Sequence, residues 1–125
     1  VKKYLLINII IFSFFCKTQD FETLILNKWE LEEITDTQRV WNLKEESQEI
    51  YYINFFSDNY FEAYLFGTYI SGKYILQTSK NKLILEEDID SPPILFEILE
   101  LTSSTLVLSY REEEKPVKLK FSLLK

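Results

Sequence analysis

The side chains able to do chemistry in this sequence are almost all carboxylates. They cluster at Glu30-Glu32-Glu33, at Glu86-Glu87-Asp88-Asp90 and at Glu112-Glu113-Glu114. Two carboxylates held across a cleft, with their pKa values pushed apart, hydrolyse glycosidic bonds, and several oxygens at fixed spacing hold calcium. Neither arrangement is spelled here. The clusters fall at the ends and outward positions of alternating segments, where carboxylates act as solvated charge, and none has the spacing of a calcium-binding loop. The chain contains no histidine, which is the commonest general base and metal ligand. Its one cysteine, Cys16, cannot form an internal disulfide or a cysteine-based zinc site. Two glycines supply neither a glycine-rich phosphate loop nor a nucleophile elbow. The expectation is a protein that is not an enzyme, with no cofactor and no metal site.

The other residues with a chemical use are apolar and aromatic, and their use is binding. Tyr51, Phe55, Phe61, Tyr74, Phe96 and Tyr110 occupy alternate positions of their segments, and Ala63 is the one small residue in the same register. Side chains at alternate positions of a strand share a face. If that face points into a barrel, these residues either line a cavity for a small apolar or amphipathic ligand or fill the interior themselves, since eight strands leave room for one or the other. Buried tyrosine hydroxyls need partners in both cases. Trp41 stands apart in a polar stretch, placed to cap the mouth of such a barrel or to pin its own loop.

The elements that must position these residues are strands. Val117, Leu119, Phe121 and Leu123 alternate with Lys118, Lys120 and Ser122, which is a half-buried strand with its basic side in water. The same rhythm predicts eight strands, at about 29–35, 50–56, 60–67, 73–78, 82–87, 94–102, 105–111 and 117–124. Turn residues separate them, including Ser57-Asp58-Asn59, Lys80-Asn81, Ser103-Ser104 and Glu113-Glu114-Lys115-Pro116. Links after residue 50 are short, so successive strands are expected to be antiparallel neighbours. The predicted fold class is all-β, an eight-stranded antiparallel up-and-down barrel, because closure removes exposed edges. A sandwich is the alternative, with longer crossing connections. Residues 20–27 read as a short helix capped by Asp20 that plugs one end, with Trp29 beside it. Residues 36–49 read as a long polar link carrying Trp41.

Residues 1–18 read as an export signal. Lys2 and Lys3 precede an apolar run at 4–15, too short for a spanning helix and suited to a signal core. Two ends to that segment are open. Cleavage after Thr18 leaves Gln19 first and a soluble domain at 19–125. Lipidation of Cys16 instead tethers the domain to a membrane, although Phe15 stands where a lipoprotein signal carries a small residue. The expected location is therefore the periplasm, the outer membrane or the exterior. Residues 1–18 contain three of the 14 basic residues and none of the 20 acidic ones. The remainder carries a net charge of −9, which disfavours nucleic acid as a partner.

Four motifs in order, Asn27-Lys28-Trp29, Phe55-Phe56-Ser57-Asp58-Asn59, Gly72-Lys73-Tyr74 and residues 101–108 (LTSSTLVL), resemble the small lipocalin-like domains of exported Bacteroidetes proteins. The resemblance spans nearly all of 19–125. It implies a β-barrel that binds a small hydrophobic ligand, or a filled barrel that serves as a structural or interaction protein of the envelope. Lipocalins carry Gly-x-Trp on the first strand. Asn27 replaces that glycine, and Asn tolerates left-handed backbone angles. Lipocalins also stack a basic residue from the last strand on the tryptophan; the sequence has no arginine there, only Lys125.

Overall fold

Alternating apolar and polar residues form strands because one face of each strand is buried and the other is solvated. A computed structural model describes residues 20–124, and the expected export segment with Cys16 lies outside the described residues. The elements run α1 (Phe21–Leu24), β1 (Lys28–Thr35), β2 (Val40–Asn42), α2 (Leu43–Glu46), β3 (Tyr52–Phe55), β4 (Tyr60–Leu65), β5 (Thr68–Gln77), a 3-10 turn (Thr78–Lys80), β6 (Lys82–Glu87), β7 (Ile94–Leu101), β8 (Thr105–Glu112) and β9 (Lys115–Leu123). The strands from β3 to β9 pair in sequence order, and β1 pairs with both β3 and β9. All pairings are antiparallel. This is the expected eight-stranded up-and-down barrel, closed by β1 against β9.

Two expected boundaries change. The link at 36–49 is not a plain loop, because β2 pairs with β1 through Glu33↔Asn42, Ile34↔Trp41 and Thr35↔Val40. Strand β3 meets β1 only from Lys28↔Asn54 to Glu30↔Tyr52, so the far half of β1 has a free edge, and β2 occupies it. The fifth strand begins at Thr68 rather than at 73. Its first half pairs with β4 and its second half with β6.

Both interruptions of the hydrophobic alternation become β-bulges. On β1 the order Leu31-Glu32-Glu33-Ile34 would place Glu33 inside under strict alternation. The register on β9 shifts between Leu31 and Glu33, which keeps both glutamates out and returns Ile34 to the inner face. On β7 the order Ile98-Leu99-Glu100-Leu101 is handled in the same way, with a shift between Ile98 and Glu100. A bulge adds one residue to one strand and so inverts the alternation beyond it. A carboxylate inside the barrel would be a buried unpaired charge, the costlier outcome.

The lower end of the barrel is closed by α1. Asp20 caps this helical turn by accepting the Glu22 N–H at 3.0 Å, as the sequence predicts. The turn delivers Ile25 under the barrel, and the buried Trp29 indole N–H donates to the Ile25 carbonyl at 3.0 Å. Asn27 does not adopt left-handed angles. Its side-chain amide instead donates to the Leu24 carbonyl at 3.1 Å, tying off the turn before β1 starts. Above this plug, Trp29, Phe55, Phe61, Ala63, Leu83, Leu85, Leu106, Leu108 and Phe121 belong to one buried cluster.

Gly72 marks the corner where β5 changes partners, opposite both Phe61 and Glu87. A Cβ here would lie 2.0 Å from the Glu86 carbonyl oxygen, so the corner closes only with glycine. Gly72→Ala is expected to destabilise the domain by about 3 kcal/mol through forced separation of β5 and β6. Urea denaturation followed by tryptophan fluorescence measures it, and an unchanged midpoint would contradict this account.

Candidate binding site at the barrel mouth

Ile34 reaches the inner face only because of the β1 bulge, and it stands at the upper end of the barrel. Its cross-strand partner is Trp41 on β2, so the indole shares that face. Leu43, the first residue of α2, packs against the same apolar cluster. Tyr110 and Val117 face each other across β8 and β9. With Phe66 from the β4–β5 turn, these side chains surround an open pocket of about 300 Å³. The carboxylates of Asp36 and Glu112 stand in its wall.

Each wall is held by identifiable interactions. Asp36 Oδ1 accepts the backbone N–H groups of Gln38 at 2.8 Å and Arg39 at 2.9 Å. Those bonds favour the ionised carboxylate and hold it below the usual aspartate range. The turn they fix starts β2, and the Arg39 guanidinium lies 4.1 Å over the Trp41 ring, a cation–π contact that restrains the indole. Helical turn α2 is capped by Asn42, which accepts the Lys44 N–H at 3.1 Å. It is tied to β1 by a Lys44–Glu32 ion pair at 3.0 Å. The Ser122 hydroxyl, and then Lys44, lower the Glu32 pKa. Burial raises the Tyr110 pKa, with the Glu112 charge adding to it, so the phenol stays protonated and able to donate at neutral pH.

Phe66 is held in an unfavourable conformation. The β4–β5 hairpin closes through Leu65↔Thr68, which leaves the two-residue turn Phe66-Gly67. Their φ angles are 53° and 81°, the signs of a type I′ turn. A bulky residue at positive φ is rare, and holding one there costs about 1–2 kcal/mol. The ring is 57% exposed and sits 4.8 Å from Tyr51, so core burial does not account for its place.

The sequence-derived candidates separate by depth. Phe55, Phe61 and Ala63 are buried in the core cluster below the mouth. Tyr74 is also buried, and its hydroxyl donates to the Phe56 carbonyl at 2.9 Å. Phe96 meets Tyr110 edge to face at 5.8 Å. Tyr51 reaches the mouth only through Phe66, whereas Tyr110 and Trp41 line the pocket directly. Cys16 lies outside the described residues. Sequence reasoning did not single out Ile34, Leu43, Phe66 or Val117. A signal existed for two of them. The doubled glutamate before Ile34 required a bulge, and a residue before glycine between two alternating runs marks a two-residue hairpin.

Among the described residues no group of three or more Cys, Asp or Glu side chains is placed to hold a metal ion. The mouth carries apolar surface with two carboxylates and a phenol, an arrangement for binding by burial with polar orientation. If Phe66 is retained for its ring rather than for its turn, Phe66→Asn should stabilise the fold by about 1 kcal/mol, because Asn-Gly is the preferred type I′ pair. Thermal and urea denaturation of the variant read this directly. A loss of stability would mean that the Tyr51 contact outweighs the backbone strain.

No curated protein matches the chain. A family model described as a lipocalin-like domain matches residues 25–108, from the Ile25 plug into the first half of β8. With the barrel topology and the mouth above, that match assigns the chain to the lipocalin-like domain family.

Proposed function

We propose that this chain is a non-enzymatic binding protein that holds a small apolar or amphipathic molecule at the barrel mouth. The observation that carries the reading is the apolar pocket of about 300 Å³ above an otherwise filled barrel, with Phe66 kept in a costly turn on its wall. The volume is at the lower end of the range for small-molecule sites. It suits one ring system or a short chain. Trp41, Phe66 and Tyr110 would bury the apolar body, and the Tyr110 hydroxyl would orient a polar end.

A second reading has its own support. The lower barrel is occupied by the rings of Trp29, Phe61 and Phe121, all fully buried, which favours a structural or interaction protein with no internal ligand. Titration with the neutral fluorophore N-phenyl-1-naphthylamine distinguishes the two. Saturable binding that weakens at least fivefold in Trp41→Ala and in Phe66→Asn supports the mouth site. Absence of binding, or binding indifferent to both substitutions, favours the filled-barrel reading.

We further propose that the domain is exported, supported by the basic start and the apolar run at 2–15. The intact mass of the protein taken from its native envelope fraction checks this. A mass starting at Gln19 supports release, an acylated Cys16 supports a tether, and a mass retaining residues 1–18 overturns export.

A further inference from the structure

The β7–β8 ladder stops short of the upper end of the closed barrel. Strands β7 and β8 pair from Leu101↔Leu106 to Glu97↔Ser109 and no further. Beyond that point residues 94–96 remain bonded to β6, and residues 110–112 remain bonded to β9, but the two stretches do not pair with each other. The β7 bulge lies inside the paired part, and bulges bend and over-twist a strand, which carries the start of β7 away from the end of β8.

The gap is the floor of an outward cleft of about 820 Å³. Its outer lips are Ile84, Leu95, Pro93 and Pro116, and its depth reaches the Phe96 and Tyr110 rings. Leu95 is 63% exposed and lies directly across from Ile84 on the β6–β7 ladder. What separates Leu95 from a singly exposed apolar residue is the cleft it shares with Ile84, Pro93, Ile94 and Pro116. Its charge departs from the rest of the molecule. The cleft holds Lys82, Arg111 and one acid, Glu97, in a chain with net charge −6. Glu97 lies directly across from Lys82 on the β6–β7 ladder, which leaves Arg111 as the excess charge. One of its guanidinium N–H groups donates to the Glu114 carbonyl at 2.9 Å. That bond fixes the side chain and leaves further donors for an anion. The alkyl surfaces of Ile84, Leu95, Pro93 and Pro116 beside one excess cation suit an alkyl chain with an anionic head.

We propose that this cleft is a second binding site, outside the barrel mouth, for a single-chain anionic amphiphile. The alkyl chain lies along Ile84 and Leu95 and enters the gap towards Phe96, and the anionic head meets Arg111. Tyr110 lines both the cleft and the mouth, whereas Ile84, Leu95 and Arg111 belong to the cleft alone.

Calorimetric titration of the whole chain with sodium dodecanoate, and with dodecyltrimethylammonium chloride as the cationic control, tests this below the micelle concentration of each. Dodecanoate is expected to bind at least tenfold more tightly than the cation. Arg111→Gln should weaken it at least fivefold. Leu95→Asp, at an exposed position that leaves the core untouched, should weaken it more than tenfold. The part of the binding that Arg111→Gln weakens should persist in Phe66→Asn, whatever that variant does at the mouth. Equal affinity for the two amphiphiles, or indifference to both Arg111→Gln and Leu95→Asp, overturns the proposal. Loss of the Arg111-dependent part in Phe66→Asn overturns it as well, by placing the amphiphile at the mouth. Failure of N-phenyl-1-naphthylamine to bind at the mouth would leave these expectations standing.

Discussion

Strand β1 is bonded to β9 along its whole length but to β3 over only three residue pairs. An antiparallel barrel closes by pairing strand edges, and this asymmetry leaves half of one edge of β1 without a neighbour at the upper end. Strand β2 satisfies it with three pairs, and α2 follows immediately. The mouth is a consequence. Trp41 and Leu43 line the opening because the residues that repair the edge of β1 must also stand beside Ile34. The Glu32–Lys44 ion pair is partly exposed and contributes little alone; backbone pairing and apolar contact fix this corner.

The two ends of the barrel follow different physical rules. At the lower end, Ile25 and Trp29 are fully buried, and the indole N–H has its partner in the Ile25 carbonyl. Such a plug has no spare polar capacity and no room. At the upper end the rings of Tyr51, Phe66 and Trp41 are only partly covered, and backbone strain is tolerated at Phe66. Well-packed elements carry stability while exposed, strained positions are available for recognition. The described residues place both kinds within a single sheet.

Much of this was legible in the residues. Strict alternation in Val117, Leu119 and Phe121 located β9, the Ser57-Asp58-Asn59 turn located the β3–β4 hairpin, and Asp20 located the helical turn that closes the barrel. What escaped had physical causes. Strand β2 is three residues long, too short for periodicity to register, and it exists only because β1 has a free edge. The start of β5 was obscured because Phe66 is not a residue that a type I′ turn prefers. The core candidates and the mouth residues look alike in sequence, since an inward ring at mid-strand and one at a strand end share the same alternation. Depth along the barrel comes from register, which local pattern specifies poorly.

Closure by the first and last barrel strands also sets the order of events when the domain forms. Trp29 meets Leu123 across a separation of about ninety residues, a contact that must be reached after loop entropy has been paid over nearly the whole domain. The intervening hairpins can assemble locally, each joining neighbours, but β1 has no full-length partner until β9 has been synthesised. Until then the inner row of Trp29, Leu31 and Ile34 faces water beside an open edge. The contact that closes the barrel is therefore the one with the longest loop to close, and until it forms the first strand remains the exposed edge of the sheet.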